Sequence, residues 1–114
     1  MVIPKRGDVF WISLDPTLGT EIQKARPCLV VSNDQANQRY QQVTVVPLTS
    51  QRTERIEPFQ ALIPQEALGV GKNAKALAEQ IRAVSKLRLG KFVGHVPLTI
   101  LRRVEDALRV HLGL

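Results

Sequence analysis

Apolar residues in this chain come in short blocks, separated by polar and turn-forming stretches. Residues 8–14, Asp-Val-Phe-Trp-Ile-Ser-Leu, are β-prone without clean alternation, the pattern of a short strand partly covered on both faces. Asp15-Pro16-Thr17-Leu18-Gly19 breaks that strand and opens a loop running to Ala25. Pro27 keeps Ala25-Arg26 extended and leads into a second strand over 28–32. Ser32-Asn33-Asp34 supplies turn or cap chemistry, and 34–40 reads equally as a short helix or an irregular excursion. A third strand covers 43–49 and is largely apolar, with Pro47 marking an edge position or a strand end.

A charged linker, 51–57, precedes a fourth strand at Phe59–Ile63. The alanines between 73 and 84 suit a helix, yet Leu77, Glu79 and Ile81 sort by parity from Ala78, Gln80 and Arg82 as they would in a strand. Phe92–Val96 is a further strand. Leu101, Val104, Leu108 and Leu112 recur at helical spacing, with Glu105–Arg109 and Arg102–Asp106 as i,i+4 ion pairs. They predict an amphipathic helix of about three turns ending near Gly113. Short strands, one terminal helix and no βαβ rhythm describe a mainly β fold, a small curled sheet or partly open barrel.

The 114 residues make one domain, 1–114, with a core large enough to fold without staples. Sixteen Lys and Arg against 10 Asp and Glu give a net charge of +6, which favours an acidic partner such as nucleic acid or an acidic protein segment. Few aromatics are present, which argues against a broad base-stacking platform. Cys28 is alone in an apolar run, so it reads as a buried thiol rather than a nucleophile or part of a metal cluster. His95 and His111 are far apart in sequence and lack a ligand cluster, so no metal or cofactor is implied. No signal-length or membrane-length apolar run occurs, and the chain reads as cytoplasmic with no membrane partner.

The candidate chemistry centres on Arg26, a guanidinium at the mouth of a strand and suited to holding a phosphate. Thr49-Ser50 closes the third strand with two hydroxyls, and Glu21 lies in the loop near Arg26, where it also reads as an ion-pair partner. Glu79-Gln80-Ile81-Arg82 puts an acid, an amide and a cation inside a partly apolar segment, which must face solvent, an interface or the Arg26 site.

These segments also carry a resemblance. Arg6-Gly7-Asp8-Val9-Phe10-Trp11, Leu14-Asp15-Pro16 and Gly19 through Pro27 are followed by Leu29-Val30-Val31-Ser32-Asn33, Val46-Pro47-Leu48-Thr49-Ser50, Glu79-Gln80-Ile81-Arg82 and Leu87-Arg88-Leu89-Gly90. In this order and spacing the chain resembles a MazF/PemK-type toxin of a bacterial toxin–antitoxin pair over nearly its whole length. The resemblance implies an SH3-like barrel with short helices, a homodimer, and metal-free, sequence-selective cleavage of single-stranded RNA, usually mRNA. It implies catalytic roles for Arg26, Thr49, Glu21 and Glu79, RNA contacts by Thr20, Lys24, Ser50, Gln80 and Arg82, and an antitoxin with an acidic tail.

This chain departs from the family pattern in having Glu79 where relatives commonly have Asp, and Ser85 where they usually have Asp. Leu77 occupies the position read as a second catalytic arginine in some members, so a scheme needing an arginine acid there does not apply. The competing readings are a CcdB-like gyrase-binding toxin and a relative that binds nucleic acid without cutting it.

Overall fold

The computed structural model describes residues 3–69 and 71–114. Seven strands form its frame: β1 (Asp8–Ser13), β2 (Ala25–Val30), β3 (Gln42–Thr49), β4 (Gln60–Ile63), β5 (Ala74–Leu77), β6 (Arg82–Ser85) and β7 (Leu89–His95). Three helices accompany them: α1 (Asp34–Arg39), α2 (Gln65–Leu68) and α3 (Leu98–Leu112). Single 3-10 turns at Ala78–Gln80 and Lys86–Arg88 link β5 to β6 and β6 to β7.

The strands pair antiparallel in the order β4-β5-β3-β2-β1-β7, and β6 joins β3 beside that path. One edge of β3 pairs with β2. Its other edge is shared, Gln42–Val45 with β6 and Leu48–Thr49 with β5. Pro47 falls between those two ladders, so a proline sits inside a central strand instead of at an edge. A missing N–H costs least where the strand changes partner.

The expected SH3-like barrel is not closed. The path begins at β4 and ends at β7, and these two strands do not pair. Helices occupy the gap: α3 packs on β4, and α2 meets β7 where a Cβ on Gly94 would lie 3.2 Å from a Leu68 methyl. The fold is therefore a curled open sheet, mainly β, with short helices and an amphipathic C-terminal helix.

Two cores explain why the strands do not alternate. Val9, Leu29, Val46 and Leu48 face α3, together with Ala61, Ile63, Ala76 and Val96. Phe10, Ile12, Cys28, Val30, Val43, Val45 and Val84 form a second cluster from the opposite parity of β1–β3. Both faces of the central strands are buried, so both parities are apolar.

From α3, Ile100, Leu101, Val104 and Ala107 are buried and Leu108 packs beside them, whereas Leu112 is exposed. The helix ends at Gly113, as its left-handed φ of 71° allows. Its ion pairs are Arg102–Glu105 and Asp106–Arg109, each three residues apart, instead of the i,i+4 pairs read from the sequence. Glu105 also binds Arg6 at 2.5 Å and so anchors the N-terminal segment on the helix.

Within 34–40, residues Asp34–Arg39 form the helix α1. Asn33 caps it by accepting from the Ala36 amide, and buried Asn37 donates to the Ser32 carbonyl at 2.8 Å. The 73–84 stretch is two strands joined by the Ala78–Gln80 turn, and α2 had no periodic signal in its four residues.

Close approach fixes one glycine. A Cβ on Gly90 would sit 2.8 Å from the Trp11 carbonyl oxygen, a backbone atom that cannot swing aside. Gly90→Ala should therefore cost about 1–3 kcal/mol, as overpacking does. Thermal unfolding would show it as a Tm lowered by several degrees; an unchanged Tm would contradict the close approach.

Candidate functional site

Two hollows open on either side of a shared ridge made by Arg26 and Thr49. The first, about 270 Å³, is walled by Trp11, Ala25, Pro27, Leu48, Ser50, Lys72 and Val93 among others. The second, about 330 Å³, is lined by Thr20, Ile22, Gln51, Arg52, Gln60, Lys75, Leu77 and Gln80 in addition to Arg26 and Thr49. Among the described residues, neither lining contains a carboxylate. Arg26, Arg52 and Lys75 around one hollow, with Lys72 across the ridge, make the region a focused positive field.

Strand register explains the ridge. β2 and β3 pair Leu29 with Val46 and Cys28 with Pro47, and continuing that register sets Arg26 opposite Thr49. On the other edge of β3, Thr49 pairs directly with Lys75. Arg26, Thr49 and Lys75 thus form one row across three strands, with side chains on one face. The second strand begins at Ala25, earlier than read from the sequence, which brings Arg26 inside the sheet.

Arg26 is half-buried, and its Nε donates to the Gln23 carbonyl at 2.8 Å. Its two terminal nitrogens make no hydrogen bond or ion pair among the described residues. Thr49 Oγ1 accepts from the Gln51 amide at 3.2 Å, which leaves its hydroxyl proton free to donate elsewhere. Gln80 clamps the 20–22 loop: its Oε1 accepts from the Ile22 amide at 3.1 Å, and its Nε2 donates to the Thr20 carbonyl at 3.3 Å.

The other residues expected at the site take different positions. Glu21 does not pair with Arg26; its Oε1 accepts from the Leu18 amide at 2.6 Å and closes a turn of the loop. Glu79 accepts at 3.0 Å from Gln60 Nε2, a residue of the second hollow, and its other oxygen is buried without a partner. Arg82 Nη1 donates to the Leu14 carbonyl. Lys24 is exposed with a φ of 71°, and its carbonyl accepts from the Leu14 amide. Glu21, Glu79, Arg82 and Lys24 line neither hollow.

Lys24 and Arg52, on the loops flanking the ridge, are the described non-glycine residues with positive φ. Left-handed geometry costs such residues about 1–2 kcal/mol each, and it concentrates at working sites. Lys75 and Trp11 went unmarked in the sequence. Lys75 stands beside Thr49 through the β3–β5 pairing, which no local pattern along the chain shows. Among the described residues no three His, Cys, Asp or Glu side chains cluster as metal ligands would. His95 instead bonds Asp8 through Nδ1 at 2.8 Å. No described helix is long and apolar enough to cross a membrane.

The sequence model of the PemK-like, MazF-like toxins of type II toxin–antitoxin systems matches residues 5–112. The chain belongs to that family. It is 38% identical to endoribonuclease MazF9 of Mycobacterium tuberculosis, over 96% of this chain and 97% of the relative. To endoribonuclease EndoA of Bacillus subtilis it is 33% identical, over 99% and 97%. Among solved structures it is similar to MazF of Deinococcus radiodurans, with a TM-score of 0.86, 27% identity and full coverage of both chains. It is also similar to a mycobacterial endoribonuclease in complex with its cognate antitoxin, with a TM-score of 0.81 and 28% identity over 97% of this chain and 96% of that one.

Beneath the ridge of this MazF-like toxin lies Cys28, fully buried, with Sγ 3.5 Å from the Arg26 carbonyl oxygen. Burial pushes its thiol up to about 12, against the opposing pull of the Arg82 and Arg26 guanidiniums. A pKa raised on folding means the folded state holds the proton more tightly. Its contribution to stability is complete below the ordinary thiol value of 9.0 and is lost as pH rises from there through about 12. At pH 8 the folded protein should leave Cys28 unmodified by a thiol-specific disulfide reagent, with full reaction on unfolding. Rapid labelling without denaturant would contradict the buried, neutral thiol.

Proposed function

We propose that this chain is a metal-independent, sequence-selective endoribonuclease that cuts single-stranded RNA, principally mRNA, in the cytoplasm as a homodimer. A cognate antitoxin with an acidic tail silences it. The observation that carries this reading is the Arg26–Thr49 ridge, where an unpaired guanidinium and a free hydroxyl proton share one edge of a cationic hollow. Family membership and two relatives named as endoribonucleases support it, and the structural similarity to a toxin solved with its antitoxin supports the partner. A net charge of +6 suits both RNA and an acidic tail.

In the reaction, the RNA 2′-oxygen attacks the adjacent phosphorus and loses its proton to a base. The bond from phosphorus to the 5′-oxygen breaks, and that oxygen takes up a proton. The products are a 2′,3′-cyclic phosphate and a 5′-hydroxyl. Arg26 directs its two terminal nitrogens at the non-bridging oxygens and stabilises the extra charge of the transition state. It does not exchange protons, because a guanidinium stays charged throughout. Thr49 donates its hydroxyl to the same phosphate.

Ser50 and Thr20 contact the RNA from the two hollows, and Gln80 holds the Thr20 loop in place. Lys24 and Arg82 contribute positive charge at the margin. Of the two carboxylates, Glu79 adjoins the second hollow through the bond it accepts from Gln60, and to serve as base that oxygen must leave Gln60 for the 2′-hydroxyl, since the other oxygen is buried. Glu21 is engaged in its own loop.

Incubation of the purified protein with a long unstructured RNA tests the reading. Cleavage unaffected by EDTA, with cyclic phosphate ends, is the expected result; no cleavage would leave a binding protein. Arg26→Ala should abolish cleavage, and Thr49→Ala should lower turnover by roughly 10²–10³-fold, the cost of removing one preorganised donor. Wild-type turnover by folded Arg26→Ala would sink the mechanism. In a separate comparison, Glu79→Gln should lower kcat by roughly 10²–10⁴-fold, the usual worth of a general base, while Glu21→Gln keeps most of it. The opposite pattern would move the base to Glu21.

A further inference from the structure

Lys75 is 7% exposed, yet among the described residues it has no carboxylate partner. Its Nζ makes one hydrogen bond, to the Arg55 carbonyl at 3.0 Å, so two of its three donors have no protein acceptor. It is the cross-strand neighbour of Thr49 and lines the same hollow as Arg26, Arg52 and Gln80. A buried ammonium is expensive unless it is paired, and nothing in the lining offers a negative charge. Three cations around one hollow also repel one another until an anion enters.

We propose that Lys75 is an RNA-binding residue that holds a backbone phosphate next to the one gripped by Arg26 and Thr49. This rests on the endoribonuclease reading above. The row across β2, β3 and β5 sets the order of contacts, with the reacting phosphate at Arg26 and Thr49 and the neighbouring one at Lys75. Because Nζ also holds the Arg55 carbonyl, the same ammonium ties the 51–55 loop, including the left-handed Arg52, to the floor of the site. Phosphate engagement and loop position are then coupled through one side chain. Lys75 touches substrate away from the bond that breaks.

The test compares wild type with Lys75→Gln and Lys75→Arg on an unstructured RNA transcript across a range of salt concentrations. Gln keeps a donor for the Arg55 carbonyl and removes the charge, which separates the loop tether from the phosphate contact. A lost phosphate contact on a single strand reduces the slope of log affinity against log salt by about 0.7. The expected result for Lys75→Gln is that reduction, with kcat/KM lowered about 10- to 100-fold, as for a lost charge-assisted hydrogen bond. Lys75→Arg should keep the wild-type slope.

A Gln variant with the wild-type slope and rate overturns the proposal. So does one that loses thermal stability but keeps the slope, since Lys75 would then only tether the loop. Weaker binding of an acidic peptide with the RNA slope unchanged also overturns it. Should Lys75→Gln fail to fold, the Lys75 Cε resonance of carbon-13-labelled wild type must shift on RNA binding, and an unmoved resonance overturns the assignment. Binding of the same RNA in 2′-O-methyl form, followed by fluorescence anisotropy, gives the slope without cleavage. A wild type that cuts nothing defeats the endoribonuclease reading, while that binding slope still decides Lys75.

Discussion

The fork in β3 is the constraint on which the site depends. One edge of this strand is held over Val45–Pro47 by β2, while the other passes from β6 to β5 across Pro47. Because side chains alternate strictly along a strand, this pairing decides which residues share a face. Arg26, Thr49 and Lys75 come from segments far apart in sequence and reach one row through register alone. A one-residue slip of β3 against either neighbour would turn Thr49 into the core and break the row.

The buried clusters on both faces make such a slip costly. Leu29, Val46 and Leu48 pack toward α3, and Cys28, Val30 and Val45 pack the other way. Rigidity in the sheet lets the loops carry the adaptable part of the site. Gln80 fixes the 20–22 loop and Lys75 fixes the 51–55 loop, each through backbone atoms. The framework thus presents unpaired donors in a cavity free of carboxylates, so charge stabilisation needs little rearrangement when a phosphate arrives.

Much of this was legible in the sequence. The hydroxyls at 49 and 50 and the helical spacing of Leu101, Val104 and Leu108 correctly marked a strand end and the terminal helix, while the strand after Pro27 was read three residues late, because the β1–β2 ladder already holds Ala25 and Arg26. Barrel closure was misjudged, because local patterns show that strands exist and not whether the first and last of them meet. Pro47 misled for a related reason: a rule about sheet edges has no entry for a strand that changes partners midway. The ion pairs of α3 shifted because Glu105 also serves Arg6, a contact across 99 residues. Lys75 went unmarked because its place beside Thr49 is set by cross-strand pairing, and Glu21 binds the Leu18 amide instead of Arg26 because proximity in a loop says nothing about which partner a carboxylate will find.

The most direct measurement is a crystal structure with an oligoribonucleotide made uncleavable by a 2′-deoxy sugar at the cut site. A phosphate should be found bonded to the terminal nitrogens of Arg26 and to the Thr49 hydroxyl, with its neighbour at Lys75. An oligonucleotide bound with its phosphates away from the β2–β3–β5 row, leaving Arg26 free, would contradict it.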